Sequence, residues 1–504
     1  MVLKRVAELV YKIGEELTEE KSQPEIALEG HVIGRAEDIN TVSSRREYGK
    51  ASFVLPDFEH INACAYFDYQ REKVFLRANG SVRKARSRRK EKRRRVQVNR
   101  TITVRSNKCP LCGGSEIVRA AGPAHTKLAY DLKLTESGIN RQVIACTCVL
   151  HQCNECEKRF LPDRYKRRAK HFHNLKSWAM YQHLAHRISF QRLEEILSEC
   201  FGLHVHYEEI HNFKRIMALY YHRTYKQILS NLLTGNLIHA DETNVNFQIG
   251  KGYIWALANM KNVVYVYRPN RDGDWLQELL SGFTGVLVSD FYSAYDSIPC
   301  EQQKCLVHLI RDMNHDLLCS PYDQEYKSLV SQFGVLLRGI IDTIDRYGLK
   351  RHHLHKHEAD VDRFYLKLNG QSFKSDLASE YWQRLVKYRE KLFTFLRHDG
   401  VPWNNNNAEH AFRPFANYRS TSDGQMTETG LRDYLVLLSV YQTCKYREIS
   451  FLRFLVSQER DLDGFHDSGR MRSTRLSLQV YPEGFTSFPR KENPKASQIV
   501  YPNG

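Results

Sequence analysis

The chain has 504 residues, too many for a single hydrophobic core, and its 42% apolar and 11% aromatic content is enough for several folded domains. A formal net charge of +17 points to an anionic partner, while no apolar stretch approaches the roughly twenty residues that span a bilayer. Twelve cysteines, with an acid-bearing amphipathic pattern instead of a signal peptide over Met1–Leu17, fit a cytoplasmic protein with some of its thiols on metal.

Residues 1–104 read as a helix, a polar linker, paired strands over Asn62–Phe67 and Lys73–Arg77, and a basic arm. Between Arg83 and Arg95 ten Lys or Arg residues stand against one acid, Glu91, a net +9 in thirteen positions. Such a run repels itself when free, so Arg86, Arg88, Arg89, Arg93 and Arg94 are candidate phosphate contacts; a solvated linker or targeting signal is the plainer reading.

Residues 105–165 carry two knuckles, Cys109-Pro-Leu-Cys112-Gly113 and Cys153-Asn-Glu-Cys156. Two intervening residues let both thiolates of a knuckle face one cation, so a four-cysteine structural Zn2+ site is predicted. Forty residues separate the knuckles, and a loop or hairpin must fill that gap. Cys146 and Cys148 either replace one ligand or are ordinary strand residues. With all four positions filled, the zinc would shape a DNA-contacting surface and take no part in chemistry.

Residues 166–236 read as helical. Phe190, Leu193, Ile196 and Leu197 share one face, Gly202 ends that helix, and Tyr207–Ile216 opens another, which is the grammar of a DNA-binding helix-turn-helix and also of any two packed helices. His204, His206 and His211 read as surface or packing residues. Strands follow at Leu237–Phe247, Gly252–Asn259 and Asn262–Pro269, then a helix around Trp275–Ser281. Further strands are expected at Gly285–Phe291 and Lys304–Leu309. Residues 320–400 switch to helical periodicity and form an expected all-α insertion. The core resumes over 401–458 with two helices, the second at Leu431–Lys445, and 459–504 reads as a loosely ordered tail. The fold class is therefore multidomain α/β, with 237–319 and 401–458 as one mixed core.

Three acids stand out. Asp241 and Asp290 close apolar strands, and Glu409 opens a helix after an asparagine run with Asn407 as its expected N-cap. Each has a dull explanation: a turn cap, or an acid favoured by the helix dipole. Together they are the carboxylate set that can hold two divalent cations for phosphoryl transfer on nucleic acid. Glu242, next to Asp241, falls on the opposite strand face, and Asp296 is a decoy six residues beyond Asp290. Trp255, Phe291, Tyr292 and Tyr295 read mainly as core, and Trp403 is the better candidate to stack on a base.

From about 235 to 450 the chain resembles the insertion sequence 66 family of DDE transposases. The matching pieces are Asp241-Glu242-Thr243, Gly252-Tyr-Ile-Trp255-Ala256, Asp290-Phe-Tyr-Ser-Ala-Tyr295, Cys305-Leu-Val-His308 and Asn406-Asn407-Ala408-Glu409-His410-Ala411-Phe412-Arg413-Pro414. The resemblance implies a ribonuclease-H-like catalytic core, with Asp241, Asp290 and Glu409 binding two Mg2+ ions for which Mn2+ can substitute. It also implies cleavage of transposon ends, joining of the 3′-hydroxyl to target double-stranded DNA, and a homo-oligomer on DNA. Arg413, four residues after Glu409, could clamp a phosphate, and His308 could orient a phosphate or water. The competing expectations are a nuclease or resolvase that cuts without joining, and a zinc-ribbon DNA-binding protein with a disused catalytic domain.

Overall fold

The computed structural model describes residues 96–466, apart from 136, 248–249 and 423–425. The expected N-terminal helix and strands, the arm arginines Arg86, Arg88, Arg89, Arg93 and Arg94, and most of the tail lie outside the described residues.

Two small sheets come first. β1 (Arg100–Thr103), β3 (His125–Thr135) and β4 (Gly138–Cys148) form one of order β1-β4-β3, and the β3–β4 hairpin pairs from His125↔Cys148 to Thr135↔Gly138. That hairpin fills the gap between the cysteine knuckles. β2 (Ile117–Arg119), β5 (His151–Cys153) and β6 (Arg159–Phe160) form the second, antiparallel sheet, which carries the knuckles.

Three helices follow: α1 (His173–Ala185), α2 (Phe190–Phe201) and α3 (Tyr207–Leu233). Ser189 caps α2 by accepting from Arg192 N, and Gly202 ends it in the left-handed region at φ 59°, where a side chain is disfavoured. The partner helix α3 begins at Tyr207 as read from sequence and runs 27 residues, well past Ile216. Its apolar spacing continues through Met217, Tyr221, Ile228 and Leu232, all buried in the main core against the helix Glu428–Tyr446, so this face is committed to packing.

The central sheet has the order β11-β10-β7-β8-β9. β7 (Leu237–Asn246), β8 (Lys251–Ala258) and β9 (Val263–Arg268) form an antiparallel meander. After α4 (Asp274–Leu279) the chain returns as β10 (Val286–Ser289), parallel to β7, and β11 (Glu301–Lys304), parallel to β10. Here one expectation is corrected. The last strand is the polar Glu301–Lys304, and the apolar Leu306–Leu309 opens α5 (Leu306–Cys319). Gln302, Gln303 and Lys304 are buried with their nitrogens engaged: Gln302 Nε2 donates to the Tyr295 carbonyl at 2.8 Å, Gln303 Nε2 to the Leu392 carbonyl at 2.9 Å, and Lys304 Nζ to Ser289 Oγ at 3.2 Å.

Residues 324–387 supply α6 (Gln324–Tyr347), α7 (Glu358–Asn369) and α8 (Asp376–Lys387), which share a core with β10 and α5. α9 (Asn406–Ser422) lies against β7 and β8, and α10 (Glu428–Tyr446) against β9 and α3. α11 (Phe451–Ser457) closes onto α1. Among the described residues no helix is long and apolar enough to cross a membrane.

Candidate active site and metal centre

β7 brings fully buried Ile238, His239 and Ala240 up to Asp241, the first residue of the strand run to regain partial exposure. Asp241 Oδ1 accepts from the Glu242 amide at 2.9 Å. Asp290 directly follows buried β10, and its Oδ1 accepts from the Tyr292 amide at 2.9 Å, an Asx-type turn that reverses the chain at the strand end. Because β7 and β10 are adjacent and parallel, with Val288 opposite His239, the two aspartates follow side by side just past the end of that pairing, in the middle of the sheet.

Glu409 sits in the first turn of α9. The chain enters that helix two residues earlier than expected: the Asn405 carbonyl accepts from Ala408 N at 3.1 Å and Glu409 N at 3.3 Å, so Asn405 holds the N-cap position assigned to Asn407, with its side chain engaged elsewhere. Asn407 Oδ1 instead accepts from the Tyr446 hydroxyl at 3.0 Å. His308, in the first turn of α5, places Nε2 3.6 Å from Glu409 Oε1.

The electrostatics tie these groups together. Burial first, then the charges of Glu242 and Asp290, push Asp241 up to about 7, with His308 opposing. His308 is shifted upward by the Cys305 thiol beside it and by Glu409 and Asp290, against burial. Thus Glu409 and Asp290 both act on the His308 imidazole, which in turn opposes the upward shift of Asp241. Glu409 Oε1 is buried without a hydrogen-bond partner, and so is His308 Nδ1. The carboxylates are not packed in ligating contact: among the described residues, only the cysteine thiols meet in a closed ligand cluster.

Glu242 has a role that its strand parity did not reveal. Its side chain is only 2% exposed, accepts from Arg271 Nε (3.0 Å) and Nη2 (2.6 Å), and accepts from the Tyr295 hydroxyl at 2.5 Å. Arg271 stacks on Tyr292, and the Tyr292 hydroxyl donates to the Arg271 carbonyl. The Asp290 turn is therefore pinned to β7 from behind. Asp296 is engaged elsewhere, with buried Lys304 at 3.1 Å and Lys391 at 3.3 Å. Arg413 is exposed on α9, whereas Arg419, which sequence reasoning passed over, donates to Thr243 Oγ1 and the Asn244 carbonyl. Trp255 and Tyr295 are wholly buried, and Trp403 is half-buried with its carbonyl accepting from Leu306 N.

The metal centre is sharper. Cys109, Cys112, Cys153 and Cys156 present sulfurs all within 4.8 Å of one another, with Cys109–Cys156 at 3.8 Å and Cys112–Cys153 at 3.6 Å. A tetrahedron with Zn–S bonds of about 2.3 Å has edges of about 3.8 Å, whereas a disulfide needs about 2.0 Å. The donors fit zinc. Cys146 and Cys148 lie buried in β4 outside this group, so neither replaces a ligand. His204, His206 and His211 also lie outside it; His204 bonds Ser198 at 3.2 Å, and His211 meets the Phe190 ring edge-on.

Comparison with known proteins agrees with this architecture. Over 260 residues the chain is 25% identical to "Uncharacterized protein y4qI" of Sinorhizobium fredii (strain NBRC 101917 / NGR234), covering 45% of this chain and 48% of that protein. The chain thus spans about half the length of that relative. The model of the transposase IS66 family matches residues 172–433, a little over half of the 504. The match takes in α2, α3, the central sheet, the helices of 324–387, and Asp241, Asp290, His308 and Glu409: this chain belongs to the IS66 family of transposases.

Proposed function

We propose that the chain is a DDE transposase that cleaves transposon ends and joins the freed 3′-hydroxyl to target DNA, using Asp241, Asp290 and Glu409. The observation that carries this reading is geometric: adjacent parallel β7 and β10 bear Asp241 and Asp290 side by side, and His308 Nε2 approaches Glu409 Oε1 to 3.6 Å while feeling the charges of Glu409 and Asp290. The antiparallel meander followed by parallel strands supports a ribonuclease-H-like core over 237–319 and 401–458, with 320–400 as its helical insertion. Residues 105–165 would be a zinc ribbon and 166–236 a helical DNA-binding region, between an N-terminal part of 1–104 and a tail of 459–504.

The oxygen donors suit Mg2+ or Mn2+. A carboxyl driven up to about 7 by burial and like charge, and a buried glutamate oxygen with no donor, both gain from a cation. Divalent cations held there supply positive charge to the phosphoryl oxygens and acidify bound water. The remaining roles belong to the chain. His308, with Nε2 3.6 Å from Glu409 Oε1, donates to a phosphate oxygen. Arg413 meets a backbone phosphate from the exposed side of α9. Glu242, Arg271 and Tyr295 keep the Asp290 turn seated. Double-stranded DNA is the partner, bound by a homo-oligomer.

The test is Asp290→Asn with a labelled transposon end and target duplex. Cleavage and joining should fall by orders of magnitude while DNA binding persists. A variant as active as the parent chain sinks the assignment, and wild-type cleavage without joining favours a nuclease.

A further inference from the structure

We propose that Asn405 is the positioning residue that sets Glu409 against Asp241, through a buried link between α9, β7 and the start of α5. This rests on the reading of Asp241 and Glu409 as cation ligands. Asn405 is wholly buried. Its Nδ2 donates to the Ala240 carbonyl at 2.8 Å, one residue before Asp241. A carbonyl only accepts, which fixes the orientation of the amide. Oδ1 must then accept, and His239 Nδ1 donates to it at 3.1 Å. The Asn405 carbonyl accepts from Glu409 N, and its own amide donates to Cys305 Sγ at 3.1 Å, three residues before His308.

One residue therefore touches the elements bearing Asp241, Glu409 and His308. Within the asparagine run the neighbours act differently: Asn404 Oδ1 accepts from the Asn406 amide, and Asn407 bonds Tyr446. Only an amide offers a donor and an acceptor on one short planar group at this spacing. An aspartate would face the Ala240 carbonyl with charge, and an alanine would leave that carbonyl and His239 without their partner.

The experiment is a double-mutant cycle on the full chain, read by Mn2+ titration with electron paramagnetic resonance. Zinc content and circular dichroism confirm the fold. Asn405→Ala should weaken Mn2+ binding by about 10- to 100-fold, the usual loss when an outer partner of a ligand is removed. Asn405→Ala with Glu409→Gln should bind no more weakly than Glu409→Gln alone, because the asparagine acts through the glutamate. Asn405→Ser, which shortens the link but keeps a hydroxyl, is read the same way should the alanine variant not fold. Mn2+ affinity within twofold of the parent, or losses that multiply in the double variant, overturns the inference and leaves the transposase reading standing. A wild-type chain that binds no Mn2+ overturns that reading, and this inference with it.

Discussion

Replacing Asp241 by asparagine should stabilise the metal-free protein while abolishing its response to Mg2+. The Asp241 carboxyl is raised from 3.8 to about 7, so its charged form is penalised in the fold relative to the unfolded chain. That penalty is absent below pH 3.8, grows as pH rises through the interval to 7, and is complete at pH 8. At about 1.4 kcal/mol for each pH unit of that interval it reaches up to about 4 kcal/mol. Asparagine keeps the oxygen that accepts from the Glu242 amide and drops the charge beside Glu242 and Asp290. Thermal unfolding with chelator present should therefore show Asp241→Asn melting above the parent at pH 8, with the gap shrinking toward pH 4. Mg2+ at a hundred times its Kd adds about 2.7 kcal/mol to the parent alone and narrows the gap from the other side. A variant less stable than the parent at pH 8, or one that keeps the full Mg2+ response, refutes the electrostatic reasoning.

Cys153→Ser should lose bound zinc and expose the 105–165 region to protease, whereas Cys146→Ser retains one zinc per chain by elemental analysis; equal zinc in both removes the assigned ligand set. Arg271→Ala leaves buried Glu242 with only the Tyr295 hydroxyl. Because Arg271 is about half exposed, the loss should be about 1–2 kcal/mol, below the 3–5 typical of a fully buried pair, and Glu242→Gln in that background should recover part of it. Chemical denaturation reads both values, and a neutral Arg271→Ala contradicts the lock. His173, buried and held to about 4, bonds the Leu455 carbonyl and is neutral in the fold. The unfolded chain binds its proton first, so its contribution is complete above pH 6.5 and lost as pH falls toward 4. His173→Gln should flatten the stability–pH curve there by about 1.4 kcal/mol per pH unit, and an unchanged slope contradicts the assignment.

What the sequence made legible was local. A CxxC knuckle is a four-residue geometry, and both knuckles closed into one cluster across the β3–β4 hairpin. The apolar strands around Asp241 and Asp290 followed their patterning, since β10 and the first four residues of β7 are buried throughout. β11 escaped because its polar residues are buried on partners that periodicity does not show: Gln302 bonds the Tyr295 and Ile298 carbonyls, Lys304 pairs with Asp296, and the Gln303 side chain bonds Leu392 and Phe395, about ninety residues on. Leu306–Leu309 mimicked a strand because its apolar residues serve one face of a helix beneath β10. The Glu242–Arg271 pair spans 29 residues, and Arg271 lies in the loop between β9 and α4, where there is no periodic signal. Asn405 was hidden in a run of four identical residues, where only the three-dimensional path of the chain singles one out.

Whether Asp241, Asp290 and Glu409 hold the cations for phosphoryl transfer is tested most directly by anomalous diffraction from crystals of the chain with a transposon-end duplex and Mn2+. Two Mn2+ peaks are predicted, both against Asp241, one shared with Asp290 and the other with Glu409. Peaks that avoid these carboxylates, or Glu409 well over about 10 Å from both aspartates with DNA bound, would contradict it.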